Sequence, residues 1–528
     1  MGPVDYEIET HDRRKKAKIF HVNLLKKFNR RVYESMIAIA QVDEEQGQDQ
    51  DVAWLTDNSY ESDITTGEKL TENQLVDLAK LFSEYDVVLS EKPGKTNVIE
   101  HDIEMEPGVR PIRQKSYPIP QAKVEKVKAE VESMLNLDVI EESTSPWSSP
   151  YLMVPKPDGS ARFCVNYKKV NSLSKFDAYP MPRIDEIVGR IGPAKYITKL
   201  DLCKGYWQVP LTERSKQYTA FSTPLGLFQF KYLPFGLHGA PASFQRMMDR
   251  LLRGKEGYAA AYMDDLVIFS PDWESHLVHV SDVLETLKQA NLTAKPSKCS
   301  FGQSKVNYLG YVVGEGIIEP QKTKVEAVAN KTQPKTKKDV KSFLGLTGYY
   351  RKFVPNYADI AAPLSDLTRK KQPEKVVWTD KCEEAFQKLK TMLCSEPVLK
   401  NPDFEKEFIL QTDASDRGLG AVLSQLDDDG KDHPILYLSR KLYPREENYA
   451  TIEKECLAIK WAVESLQYYL LGRKFRIVTD HQPLKWLNQM KDNNKRLTRW
   501  SIDLQPYCFE VLHRSGITNG NADGLSRG

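Results

Sequence analysis

Two adjacent carboxylates, Asp264 and Asp265, sit between two apolar runs, A-A-A-Y before them and L-V-I-F after them. Runs of this length bounded by turn signals read as two short buried strands, with the acidic pair at the tight turn between them. Paired charges in so apolar a setting are costly unless something compensates them. A divalent cation is the natural compensation, because Mg²⁺ takes one or two carboxylates and fills its shell with substrate phosphates and water. An Asp-Asp pair is also common on protein surfaces, so the pair alone leaves a plain surface turn equally open.

The residues upstream narrow the choice. Asp201 ends another apolar, strand-like run in Y-I-T-K-L-D-L-C-K-G-Y-W-Q. Leu233 to Gln245 then reads L-P-F-G-L-H-G-A-P-A-S-F-Q, a loop punctuated by Pro and Gly that leads into a helical pattern. Together with S-P-W-S-S-P-Y-L-M-V-P-K-P-D-G-S-A-R-F-C-V-N-Y from Ser145 and Y-M-D-D from Tyr262, these blocks resemble a reverse transcriptase. The wording is closest to the gypsy type of LTR retrotransposon, and the blocks occur in that family's order.

Composition sets wider bounds. A chain of 528 residues is too long for one core, so two to four domains are expected. A formal net charge of +2 leaves no whole-molecule field for nucleic acid, and any such surface must be local. The seven Cys are scattered, with no C-x-x-C and no Cys/His cluster at zinc spacing, which reads as a reduced intracellular protein. No signal peptide and no apolar run long enough to span a bilayer is present.

Along the chain, residues 1–40 form a basic segment, and G-P-V-D-Y-E-I through H-V-N-L-L-K-K-F resembles the closing strands of an SH3-like integrase C-terminal domain. An acidic linker is expected over 41–75, since residues 42–63 hold many acids and no Lys or Arg. A helix capped by Thr71 is expected to follow. The resemblance places fingers and palm at 76–270, the palm end and thumb at 271–330, a connection at 331–405 and a ribonuclease H domain at 406–528. The expected architecture is therefore multidomain α/β and α+β: a right-hand polymerase plus connection and a C-terminal ribonuclease H-like mixed sheet. Asp158-Gly159 reads as a hairpin turn. His276 and His279, spaced i, i+3 on a helix, lack a third ligand and read as packing or surface residues. The lysines between 319 and 345 (322, 324, 331, 335, 337, 338 and 341) read as a contact for a duplex backbone.

A second acidic set lies in the last quarter. Asp413 falls in the strand-like F-I-L-Q-T-D-A-S, Glu455 on the helix E-K-E-C-L-A-I-K-W-A-V, Asp480 at the end of F-R-I-V-T-D-H, and Asp523 in the closing N-A-D-G-L-S-R. Four carboxylates brought together in this way need metal ions to be tolerated. This half resembles retroelement ribonuclease H, and the match implies that all four bind metal. His513 matches that family's mobile histidine, which assists product release.

In the polymerase half the resemblance implies that Asp201, Asp264 and Asp265 bind metal and carry catalysis. Arg162 would contact the triphosphate, since its planar fork suits phosphate. Tyr206 would be the steric gate beneath the sugar, with Phe235 and Gly236 completing the nucleotide site. Phe235 stands where retroviral enzymes usually carry Gln, a mark of the gypsy lineage that removes one hydrogen bond to the nucleotide. Leu309 and Gly310 match the primer grip.

The function expected is RNA- and DNA-templated DNA synthesis with cleavage of RNA in RNA/DNA hybrids, using two Mg²⁺ ions (or Mn²⁺) per site. The partners are template RNA, DNA primer, hybrid and deoxynucleoside triphosphates, with no membrane. The expected setting is intracellular, cytoplasmic and particle-associated, with room for a nuclear stage. Two other readings stand beside it. A decayed or domesticated copy would bind nucleic acid without catalysis, yet all seven carboxylates are present. A strand-transfer enzyme is suggested by residues 1–40, but no integrase zinc site or separate acidic triad accompanies them. No D-[ST]-G protease signature is present, so processing of a precursor would fall to another protein.

Overall fold

The structure is a computed structural model, and it describes residues 5–9, 17–21, 64–117, 121–155, 161–395, 397–479 and 495–513. The acidic stretch 42–63, the Asp158-Gly159 turn, Asp480 and Asp523 lie outside the described residues, as does the side chain of Arg162. The chain divides into two units, Met1–Ser59 and Tyr60–Gly528. In the first, Asp5–Glu9 and Ala17–His21 pair as an antiparallel hairpin with Asp5 opposite His21.

The larger unit is built around a five-stranded sheet in the order Ala259–Tyr262, Asp265–Ser270, Tyr196–Asp201, Ser300–Gln303, Thr65–Thr66. Its first four strands are antiparallel neighbours, and the last pairs in parallel. The apolar run after Asp265 is continuous because both faces of this sheet are buried, and alternate side chains point to opposite faces. Ala259, Ala261, Leu266 and Ile268 join one core with Phe244, Met247, Val280 and Leu284 from helices Ala240–Leu251 and Trp273–Gln289. Ala260, Val267 and Phe269 join a second core with Val306, Tyr308 and Tyr311. One sheet thus serves as the shared wall of two cores.

Ahead of it in sequence lie helix Glu72–Glu84, helix Gln121–Asn136 and the antiparallel hairpin Tyr151–Pro155/Ala161–Val165. Thr71 caps the first helix with a capping box: its Oγ1 accepts from Gln74 N, and Gln74 Oε1 accepts from Thr71 N. After it, strands Lys305–Tyr308, Tyr311–Gly314, Ile317–Pro320 and Leu399–Lys400 form an antiparallel sheet. Helices Lys322–Ala329, Lys337–Tyr349, Tyr357–Asp366 and Asp380–Cys394 contribute Val328, Phe343, Leu364 and Phe386 to the second core.

A third core belongs to the C-terminal sheet, ordered Asp432–Lys441, Gly418–Leu426, Phe408–Ala414, Lys474–Thr479, Cys508–His513. The first three strands are antiparallel and the last two pair in parallel, giving the expected mixed sheet. Helix Thr451–Ser465 lays Cys456, Ile459 and Val463 into the same core as Phe408 and Leu410. Helix Tyr357–Asp366 meets the edge strand of this sheet, where Ala358 N donates to Ser439 Oγ (2.9 Å) and Lys441 pairs with Asp366 (3.3 Å). Among the described residues no helix is long and apolar enough to cross a membrane.

Candidate active site

Strand pairing assembles the first acidic cluster. Tyr262 and Asp265 close a two-residue hairpin, and Asp265 lies opposite Asp201 on the neighbouring strand. The two loop residues are Met263 and Asp264, and Met263 has φ +56°. A positive φ at the first loop position matches a type II′ hairpin turn, where glycine is usual. A methionine there carries strain of order 1 kcal/mol or more, and such strain persists only where the surroundings over-determine it.

Gln245 supplies that determination. Its side chain is fully buried, Oε1 accepts from Met263 N (2.8 Å), and Nε2 donates to Ala261 O (3.1 Å) and Asp249 Oδ1 (2.8 Å). Nothing in the sequence around Gln245 marks this role.

Asp264 faces Asp201 across a tight approach. Leu202 N donates weakly to Asp264 O (3.4 Å), and a Cβ on Gly205 would stand 3.1 Å from Asp264 Cβ, a tight approach that glycine relieves. Burial pushes the Asp264 carboxyl above its ordinary range, and the charges of Asp265 and Asp201 push it the same way. Two lysines stand where cations are wanted. Lys298 Nζ lies 3.2 Å from Asp201, and Lys199 Nζ lies 2.8 Å from Asp265. Among the described residues no three ligand-type side chains converge as a ready-made metal cage. The donor set of Asp201 and Asp264 is nonetheless all hard oxygen and electrostatically frustrated. That fits an ion such as Mg²⁺, which takes few protein ligands and completes its shell from substrate.

The wall beside this cluster is aromatic. The Tyr206 ring packs edge-on against Phe235 (5.2 Å between centroids) and Phe244 (5.5 Å), and its hydroxyl approaches Met263 Sδ (3.5 Å). Burial, and then the charge of Asp264, pushes the Tyr206 phenol up to about 12. Phe235 remains partly exposed, and Gly236 follows with φ +99°. A Cβ on Gly236 would come within 3.3 Å of Val165 O. Arg162 lies on strand Ala161–Val165, opposite Val154.

Leu309 and Gly310 form the two-residue loop between strands Lys305–Tyr308 and Tyr311–Gly314, with φ +46° and +82°. Positive φ at both positions is the type I′ pattern. Tyr349 OH donates to Leu309 O (2.5 Å) and Tyr350 OH to Gly310 O (2.8 Å), which holds the loop to helix Lys337–Tyr349. Tyr308 OH donates to Asp265 O (3.1 Å), tying this hairpin to the acidic strand.

The second acidic set is brought together only in part by the described residues. Asp413 is buried on strand Phe408–Ala414, and Glu455 is buried on helix Thr451–Ser465. His513 ends its strand opposite Thr479, which immediately precedes Asp480. His276 and His279 take part in packing: His276 is held between Thr198 Oγ1 (2.8 Å) and Ser270 Oγ (3.0 Å), and His279 stacks on Tyr258 at 3.9 Å.

Comparison with known proteins bears on both sites. The reverse transcriptase (RNA-dependent DNA polymerase) family matches residues 154–313, and the RNase H-like domain found in reverse transcriptases matches residues 403–507. The integrase p58 C-terminal domain matches residues 1–27. The retrovirus-related Pol polyprotein from transposon 297 of Drosophila melanogaster is 42% identical over 462 residues, covering 86% of this chain and 43% of the relative. The transposon Tf2-3 polyprotein of Schizosaccharomyces pombe is 37% identical over 465 residues, covering 86% and 35%. The chain thus spans less than half the length of these relatives. Among solved structures, the foamy viral protease-reverse transcriptase dRH in complex with double-stranded DNA superposes with a TM-score of 0.77 at 22% identity, covering 89% of this chain and 84% of the other. The same viral protein in complex with an RNA/DNA hybrid gives 0.72 at 23% identity, covering 87% and 62%.

Proposed function

Because the chain belongs to the reverse transcriptase and ribonuclease H region of LTR-retrotransposon Pol polyproteins, we propose that it copies RNA and DNA templates into DNA and cleaves the RNA of the resulting hybrid. The observation that carries this reading is the strand register that sets Asp265 opposite Asp201 at the rim of the two-faced sheet, with Asp264 in the adjoining turn and its carboxyl pushed up by burial and by the charges of Asp265 and Asp201.

Asp201 and Asp264 would hold divalent ions, with Asp265 completing the site from its place beside Lys199. When bound, such ions lower the pKa of a primer 3′-hydroxyl and neutralise charge on departing pyrophosphate. The rest falls to the chain's own residues. Tyr206, wedged between Phe235 and Phe244, presents a rigid ring beneath the sugar, and its bulk selects against a 2′-hydroxyl. Arg162, on strand Ala161–Val165, would meet the triphosphate. The Leu309–Gly310 turn, held by Tyr349 and Tyr350, would support the primer end. Positioning of this kind supplies much of the rate in phosphoryl transfer.

In the C-terminal domain Asp413, Glu455, Asp480 and Asp523 would form the hydrolytic metal site, with His513 beside it. Recognition there rests on hybrid shape and 2′-hydroxyls, so little sequence preference is expected. The exposed lysines 322, 324, 335, 338 and 341 suit the duplex backbone. An intracellular particle with a later nuclear stage suits such a cycle.

Primer extension on a labelled RNA template with Mg²⁺ and deoxynucleotides, run beside Asp264→Asn, tests the reading. Extension by the parent alone, with template cleavage by both, is expected. Folded protein that neither extends nor cuts would leave the binding-only reading in its place.

A further inference from the structure

The segment Asn171–Tyr179 wraps behind the loop that carries Phe235 and Gly236. Asn171 clasps that loop at both ends: its Nδ2 donates to Gly236 O (2.9 Å), and its Oδ1 accepts from His238 N (3.1 Å). Five residues on, Phe176 is 76% exposed, the most exposed of the large apolar side chains among the described residues. Its ring meets His238 edge-on, with centroids 5.9 Å apart and planes at 77°. A phenyl ring left in water against an imidazole serves no core.

Beside it opens a cavity of about 390 Å³, lined by His101, Asn171, Phe176, His238 and Arg246 among others. That lies within the roughly 300–1,000 Å³ of small-ligand pockets. Its charged walls are already neutralised. Arg246 Nη2 donates to both oxygens of Asp177 (2.8 and 2.9 Å), Arg214 grips Asp102 through Nε (2.7 Å) and Nη2, and Lys175 pairs with Glu104. His101 is buried with Nδ1 2.8 Å from Ser243 Oγ, and burial pulls its pKa down to about 4, so it stays neutral. Such a pocket exerts little pull on a phosphate. It suits a flat, uncharged group with polar edges that stacks on an aromatic ring. Lys168 and Lys169, in the same short helix as Asn171, are exposed and available to the phosphates on either side.

We infer that the Phe176–His238 cavity receives one unpaired nucleobase of the incoming template strand, stacked on Phe176, outside the cleft where the acidic turn lies. The inference rests on the polymerase reading above. Stacking of this kind tolerates any base, because each presents a π-face. It would hold the template ahead of the site without reading its sequence.

The test uses the full chain and primer–templates carrying 2-aminopurine at successive unpaired template positions, with a blunt-ended duplex as control. In the parent, one position is expected to show quenched fluorescence. Phe176→Ala should abolish the quenching and weaken binding of the overhanging template about tenfold, while binding to the blunt duplex is unchanged. Phe176→Trp should keep both. Phe176 is exposed, so an unaltered melting temperature will show that the variants fold. Equal weakening on both duplexes, or no position-dependent quenching in a parent that extends primer, overturns the inference. A parent that binds no primer–template overturns the polymerase reading instead.

Discussion

Gln245 shows how much one buried amide can decide. Replacing it with Ala leaves Met263 N–H and Ala261 C=O without their partners at a turn that is already strained. A loss of roughly 1–3 kcal/mol is expected by urea denaturation, with primer extension falling while hybrid cleavage stays at the parent level. Lys298 makes the opposite case. It occupies the space beside Asp201 that a cation would claim, so Lys298→Gln is expected to tighten Mg²⁺ binding to the palm. The check is titration calorimetry in Glu455→Gln and Glu455→Gln/Lys298→Gln proteins, which weakens the second site in both. Unchanged affinity would mean that Lys298 does not compete with the ion.

At the scale of elements, caps and buried histidines carry measurable energies. Helix Lys337–Tyr349 begins with a capping box, in which Thr336 Oγ1 accepts from Asp339 N (3.2 Å) and Asp339 Oδ2 accepts from Thr336 N (2.9 Å). Thr336→Ala is expected to cost about 1 kcal/mol, read as a lower melting temperature. His276 is fully buried in the first turn of helix Trp273–Gln289, and burial lowers its pKa to about 3. The unfolded chain binds a proton below about pH 6.5 and the folded chain does not. Stability from this group is therefore complete above that pH and falls by about 1.4 kcal/mol per unit as pH drops toward 3. Denaturation at pH 7, 6 and 5, compared with His276→Gln, should isolate that slope.

These elements also mark what was legible in the sequence. Thr71 and its helix and the strands around Asp264 follow from period, turn chemistry and apolar runs, all local signals, whereas the mixed C-terminal sheet was legible only through the resemblance to ribonuclease H. The Gln245 clasp on Met263 and Ala261, the lysines beside Asp201 and Asp265, and the Tyr308 link to Asp265 join residues 16 to 97 positions apart in sequence. No local pattern encodes such pairings. Leu309 at positive φ was unreadable for another reason: leucine disfavours that conformation, and the support its carbonyl receives from Tyr349 comes from a distant helix.

For the molecule as a whole, three cores imply more than one cooperative block. The first two share a sheet, whereas the third has its own. Calorimetry is expected to show two transitions, and Phe475→Ala, in the third core, should lower only one of them, by about 3–5 kcal/mol. A single transition that shifts as a unit would show that contacts such as Ala358 with Ser439 bind the blocks into one.

The sheet with two buried faces has an evolutionary corollary. Neighbouring residues along one strand, Leu266 and Val267, answer to different sets of partners, so neither core can drift in size without displacing the wall of the other. Substitutions tolerated on one side are conditional on the side chains present on the other. Compensating changes for a damaged Val267 are expected among Leu200, Leu266 and Ile268 as well as among its own contacts. The acidic turn, fixed at the rim of that wall, inherits the conservatism of both cores at once.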